Sequence, residues 1–313
     1  MKKIITLILC FVLVLVGCQS NEANNQAINN EISVEDTKEA VLPLEYGDYE
    51  GYMWEVSKGD ATVYMFGSIH MADESLYPMS EKVEKAFYEA DVLGVEADIS
   101  DGKAVEATLP LMLYKGEETV YDHLSPEGIE KFESICKEAG VNPLMLQRFK
   151  VWALGSNLLA LQLSESPYSA LEGVDMYFLQ KANEMEKEIA ALEGLEYQIN
   201  LINDFTDAEQ ESAFLLGLGT TEETVQDFNT MYELYLAADD EKMTEYLFTG
   251  EGGFSDDVED KMLHDRNILM TEKIESYLET DKTYFVVVGL AHYLGEDSVI
   301  KMLNDKGYDV KRK

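Results

Sequence analysis

Histidine is scarce in this chain, with four among 313 residues, at positions 70, 123, 264 and 292. No His-rich tract exists, so any imidazole chemistry must be assembled from distant positions. No His-Glu-x-x-His helix is present to supply a contiguous zinc site. Cysteine is scarcer still, with three residues: Cys10, Cys18 and Cys136. The first two fall at the extreme N-terminus, so Cys136 stands alone in the rest of the chain and excludes an internal disulfide framework. It sits at helical spacing with Ile129 and Phe132 and reads as core. Basic residues number 24 against 61 acidic ones, a net charge of −37. Such a surface repels nucleic acid and anionic head groups. No tandem repeat of fixed period occurs.

The N-terminal "MKKIITLILCFVLVLVGCQS" has two lysines, an apolar stretch and small residues before a cysteine, the layout of a secretory signal. Its apolar run is short for a membrane span of about 20 residues. The ending Leu-Val-Gly-Cys resembles a bacterial lipobox, which implies cleavage before Cys18 and diacylglycerol on its sulfur. Residues 1–17 are thus expected to be a lipoprotein signal peptide, and residues 18–44, rich in Asn and Glu, a flexible tether. Attachment to the outer face of the cell membrane then comes from the lipid, not from a basic patch. Residues 45–313 suit one large domain.

Within that domain, "YMWEVSKGDATVYMFG" alternates on both sides of Lys58-Gly59-Asp60 and predicts a hairpin. A helix follows over "SEKVEKAFYEA", with Ser80 as cap, then a strand over "DVLGVEAD". Further helices are predicted over "GKAVEATLPLMLY" despite Pro110, over "SPEGIEKFESICKEAG" with Ser125 as cap and Gly140 as stop, over the whole of "NPLMLQRFKVWALGSNLLALQL", and over "GVDMYFLQKANEM". "KEIAALE" is a strand, residues 206–280 are almost wholly helical, and "KTYFVVVGLAHYLG" is the most apolar strand. A helix and a short strand, "YDVKR", close the chain. The order predicts an α/β (α+β) fold: a central mixed β-sheet flanked by helices, with a large helical insertion.

Two apolar strands end in the same pattern, Gly67-x-x-His70 and Gly289-x-x-His292, and a third ends at Glu96 in "GVEAD". In open α/β sheets, ligands bind beyond the carboxyl ends of the strands, where residues distant in sequence converge. Glycine there lets the backbone turn sharply or approach a ligand closely. Either histidine alone reads as a part-buried turn residue; the repeated context points to a shared site. Two imidazoles and a carboxylate suit a divalent cation with open positions, or the carboxylate acts as a general base. His123 reads as a turn residue. His264 is two residues from Arg266, so the two do not share a helix face.

Taken together, Gly67-x-x-His70, Glu96 in "GVEAD", "ALEGLEYQI" at 191–199, "HDRN" at 264–267 and Gly289-x-x-His292 resemble the TraB/GumN family, which includes the animal Tiki proteins and bacterial pheromone-shutdown proteins. The resemblance covers nearly all of residues 50–313. It implies a hydrolase-like domain of the Tiki, erythromycin-esterase and ChaN group. From the Tiki branch it implies metal-dependent cleavage of peptides or exposed N-terminal segments, with manganese or cobalt favoured over zinc. By position it implies His70, His292, Glu96 and Glu193 as metal ligands, Glu96 and Arg266 as catalytic, and Glu196 and Gln198 as substrate-binding. Arg266 suits a peptide carboxylate or an oxyanion, or else a surface ion pair with Asp265 or Glu196. Glu193 suits a ligand or an outer position, or else the acid at a helix N-terminus. The resulting expectation is a lipid-anchored extracytoplasmic metallopeptidase. The alternatives are a protein that sequesters a peptide pheromone without cutting it, and a metal-independent His/Glu esterase.

Overall fold

The computed structural model describes residues 45–249 and 256–313. The signal peptide, Cys18 and the tether lie outside the described residues. Strands β1 (Met53–Lys58) and β2 (Ala61–Ser68) form the expected hairpin. Lys58 pairs with Ala61 across a two-residue loop, in which Gly59 takes φ +61°, the left-handed conformation that such turns require. Four further strands complete one sheet: β3 (Val92–Val95), β4 (Glu188–Ala191), β5 (Thr283–Gly289) and β6 (Lys311–Arg312). The spatial order is β4-β3-β5-β2-β1-β6.

β4, β3, β5 and β2 are mutually parallel, so all four carboxyl ends lie along one edge. β1 runs antiparallel to both of its neighbours, which makes the sheet mixed, as the order of elements predicts. β5 lies between β3 and β2 and is buried along almost its full length. That burial is why its sequence is apolar throughout instead of alternating.

Helices α1 (Glu81–Glu89), α2 (Gly102–Thr108), α3 (Pro126–Glu138), α4 (Val151–Leu163) and α5 (Val174–Glu184) occupy the first half. Phe87 of α1 and Phe178 of α5 pack on Phe66 of β2 and Phe285 of β5, with ring centroids 4.9–5.8 Å apart. All four are fully buried, and burial of a phenylalanine contributes about 1.5–3 kcal/mol. Cys136 is free and buried in α3, and burial pushes its thiol up to about 11.

Two predicted helices are shorter than expected. α2 stops at Thr108, and residues 109–112 form a 3-10 turn around Pro110. Leu109 keeps helical angles, φ −51° and ψ −43°, but Pro110 has no amide to donate back to the Glu106 carbonyl, so the α-helical ladder breaks there. The helix predicted from Asn142 begins only at Val151. Asn142 instead caps a 3-10 turn through Pro143, its side chain accepting from the Leu144 amide.

After β4 come α6 (Leu195–Asn203), α7 (Asp207–Gly217), α8 (Thr221–Ala237), α9 (Asp240–Phe248), α10 (Asp256–Glu259), a π-helical turn at Asp260–His264, and α11 (Asp265–Tyr277). Thr206 with Glu209, and Thr220 with Glu223, form capping boxes at the starts of α7 and α8, satisfying otherwise orphaned amides. α12 (Val299–Asp305) leads to β6. Among the described residues, no helix is long and apolar enough to cross a membrane.

Candidate functional site

The parallel edge gathers the singled-out residues. Glu96 follows β3, Glu193 follows β4, His70 follows β2 and His292 follows β5. Gly289 lies at their centre. A methyl group built on its Cα would sit 3.0 Å from Glu96 Oε1 and 3.8 Å from both His70 Nε2 and His292 Cδ2. Its φ is −50°, open to any residue, so the glycine serves close approach and not an unusual turn. Its amide donates to Glu96 Oε1 at 2.6 Å.

The paired Gly67 does a different job. A methyl there would fall 2.5 Å from Leu290 Cδ1, 3.2 Å from Tyr52 Cβ and 3.3 Å from Leu290 Cα. It admits the chain after β5, while its carbonyl accepts from the Tyr235 hydroxyl at 2.8 Å. Gly67→Ala should therefore cost about 1–3 kcal/mol by overpacking. Urea unfolding measures this, and an unchanged midpoint would show that the strand shifts freely.

Each imidazole is backed by a polar group. His70 Nδ1 lies 2.8 Å from Asp175 Oδ2, and the Ser68 hydroxyl donates to Asp175 Oδ1 at 2.8 Å. His292 Nδ1 lies 2.6 Å from Asn267 Oδ1, and Asn267 Nδ2 donates to the Asp297 carbonyl at 2.8 Å. Neither Ser68, Asp175 nor Asn267 is predicted from sequence. Asn267 lies in the quoted "HDRN" and Asp175 in "GVDMYF", but both fall inside helical runs with no local mark of a distant partner.

Arg266 is 3 % exposed, so it makes no surface pair with Asp265 or Glu196. Its Nη2 donates to Glu96 Oε2 at 2.9 Å and to Glu193 Oε2 at 2.8 Å. Its Nε spans both Glu193 oxygens at 3.0–3.1 Å, and Nη1 donates to the Met262 carbonyl. Gln198 Nε2 donates to Glu193 Oε2 at 2.8 Å, and its Oε1 is buried without a hydrogen-bond partner. As placed, Glu193 holds the arginine and the glutamine instead of facing the rings. Glu196 is exposed and does not join the cluster. His123 stacks on Tyr114 with Nδ1 2.9 Å from Asp207, a pinned turn residue. His264 has a side chain 39 % exposed beside Asp297 and lines a cavity of about 290 Å³ with Phe248, Leu263 and Asn267.

The electrostatics separate the two rings. Burial disfavours a charged His70, but Asp175 and Glu96 outweigh it and raise its pKa. Burial and the Arg266 charge together lower His292 to about 3, so the 3.6 Å approach of its Nε2 to Glu96 Oε1 is not an ion pair. Burial works against an ionised Glu96, yet Arg266, the two rings and the Gly289 amide hold it down at about 2.

The donor set suits a divalent cation in kind, because imidazole nitrogen and carboxylate oxygen bind many first-row ions. The His292–Glu96 separation is too long for a hydrogen bond. It is of the order of the gap between two ligands that each lie about 2.0–2.2 Å from one ion. Among the described residues at this edge, the buried acids Glu96, Glu193 and Asp175 outnumber the buried Arg266. Among the described residues, no three His, Cys, Asp or Glu side chains close on one point as a ready metal cage.

Comparison with known proteins agrees with the motif pattern. Residues 52–312 match the TraB/PrgY/gumN family. The uncharacterized protein YbaP of Escherichia coli is 27% identical over 253 residues, covering 78% of this chain and 89% of that protein. Metalloprotease TIKI2 of Xenopus tropicalis is 21% identical over 329 residues, covering 88% of this chain and 62% of that protein. Metalloprotease TIKI1 of Danio rerio is 23% identical over 319 residues, with 84% and 63% covered. The chain thus spans less than two thirds of the length of these two TIKI proteins. No solved structure matches it. With the motifs in order along one sheet edge and the match running from hairpin to last strand, the chain belongs to the TraB/PrgY/gumN family.

Proposed function

We propose that this protein is a metal-dependent hydrolase of peptide bonds, held at the extracytoplasmic face of the membrane by lipid on Cys18. The observation that carries the reading is the approach of His70 Nε2, His292 and Glu96 Oε1 around the bare Gly289. The metalloprotease names of the TIKI relatives support it. His70, His292 and Glu96 would hold the ion, and the family resemblance favours manganese or cobalt. A bound divalent ion supplies Lewis acidity, which polarises a carbonyl and makes water a better nucleophile at neutral pH.

The chain's own residues prepare the rest. Glu96 stays anionic because Arg266 and the Gly289 amide face it. Arg266 limits the repulsion between Glu96 and Glu193, and Gln198 ties the same two acids together, 3.4 Å from Glu96 Oε2. Substrates are extended peptides or exposed N-terminal segments.

The test is a peptide-library digest by the full chain with and without added manganese, beside direct measurement of manganese binding. Cleavage should require the ion, and His70→Ala should reduce both binding and cleavage by about 100-fold or more. Binding without cleavage would favour a peptide-sequestering protein. One observation favours a further reading: the Asp175–His70 pair is the arrangement of a general base and its orienting acid. Cleavage undiminished by a chelator would make the enzyme a metal-independent esterase or peptidase.

A further inference from the structure

The two imidazoles are backed by different groups, and each backing determines which ring nitrogen carries hydrogen. Asn267 Nδ2 faces the Asp297 backbone carbonyl, which only accepts. The amide orientation is thereby set, and Asn267 Oδ1 is the atom that meets His292 Nδ1. An amide oxygen also only accepts, so His292 carries its proton on Nδ1 and directs an Nε2 lone pair towards Glu96. Asp175 does the same for His70: its Oδ1 accepts from the Ser68 hydroxyl and its Oδ2 meets His70 Nδ1. A carboxylate at that place calls for a proton on Nδ1.

Both backings are built into the fold. Asp175 lies in the first turn of α5, and α5 is fastened to the His70 loop by the Val174 amide donating to the Ile69 carbonyl at 2.9 Å. This approach needs Gly173, where a methyl would fall 2.4 Å from the His70 carbonyl oxygen. A short antiparallel bridge, Ala72 with Ser169, closes the same loop. Asn267 is 2 % exposed and adjoins Arg266 on α11, so one helix turn serves both the ring and the acids.

Resting on the metal-hydrolase reading, we propose that Asp175 and Asn267 are positioning residues. They lock both histidines in the tautomer with hydrogen on Nδ1, so that both Nε2 atoms serve a divalent cation. Outer partners of this kind fix the orientation of a ligating histidine and raise its basicity. Asp175 acts through charge and Asn267 through geometry alone, so the two should respond differently to substitution.

The experiment uses the full chain, histidine-labelled with ¹⁵N, and variants Asp175→Ala, Asp175→Asn and Asn267→Ala. Long-range proton–nitrogen spectra of the metal-free protein report each ring's tautomer, and manganese alone is the titrant for affinity. In the unsubstituted protein both rings should show the Nδ1–H form. Each alanine variant should mix tautomers at its own ring only and weaken manganese binding by about 10–100-fold. Asp175→Asn keeps the acceptor, so it should keep the tautomer and lose less affinity than Asp175→Ala. Its near-identical shape also guards against an unfolded variant. Tautomers unmoved by the alanine substitutions would overturn the inference, whatever becomes of affinity, because a merely structural role does not select a ring nitrogen. If the unsubstituted protein binds no manganese, the metal-hydrolase reading fails. The spectra still decide whether Asp175 and Asn267 set the rings.

Discussion

Replacing Arg266 with methionine should destabilise the protein by about 3–5 kcal/mol, the cost of leaving buried charge uncompensated. The side chains of Arg266, Glu96 and Glu193 are 3 %, 5 % and 2 % exposed. Without the guanidinium, two carboxylates would remain out of water with only amide donors beside them. Arg266→Lys should also fail to restore full stability, because a single ammonium cannot reproduce the fork that spans Nε and Nη2. Adding Glu96→Gln and Glu193→Gln to Arg266→Met should recover most of the loss, since neutral isosteres remove the repulsion. Urea unfolding with a common slope reads all of these. A single Arg266→Met variant within about 1 kcal/mol of the parent would mean that the two acids are not held by this cation.

Gly289→Ala should have the opposite signature, a folded protein without function. Its φ of −50° suits alanine, so the backbone carries no strain. The added methyl would stand 3.0 Å from Glu96 Oε1 and 3.8 Å from atoms of both rings, inside the space that the proposed ion would occupy. Manganese affinity and manganese-dependent cleavage should each fall by about 100-fold or more, at or beyond the upper end of what loss of an outer partner produces. The unfolding midpoint should change little. Unaltered manganese affinity in a folded Gly289→Ala protein would place the cation elsewhere and remove the basis of the proposed reaction.

The strand ends were legible because the rules that shape them are local. Runs of β-formers, a glycine and then a histidine mark where β2 and β5 stop, and the parallel order brings those stops to one edge. The hairpin was legible from Lys58-Gly59-Asp60 for the same reason. Two local rules override the apolar periodicity. Pro110 ended α2, and Asn142-Pro143 made a separate capped turn instead of the start of α4.

The environment of Arg266 was not legible. Its partners lie 73 and 170 positions away in sequence, and nothing near it distinguishes a buried arginine from a solvated one. Asp175 is likewise 105 positions from the ring it supports. Its neighbours Val174, Phe178 and Leu179 are core residues, so the segment reads as packing alone. Contacts of this kind follow from topology, and short-range pattern carries no trace of them.

The π-helical turn at Asp260–His264 ends two positions before Arg266 and three before Asn267. Such a turn holds one residue more than regular helix would. Straightening the five into regular helix at constant length would rotate everything downstream by about 100°, and the guanidinium and the carboxamide would be aimed away from their targets together. Straightening them with the loss of one residue would leave both side chains facing as they do. The wide turn and the extra residue are therefore a matched pair, and a relative that lacks one should lack the other.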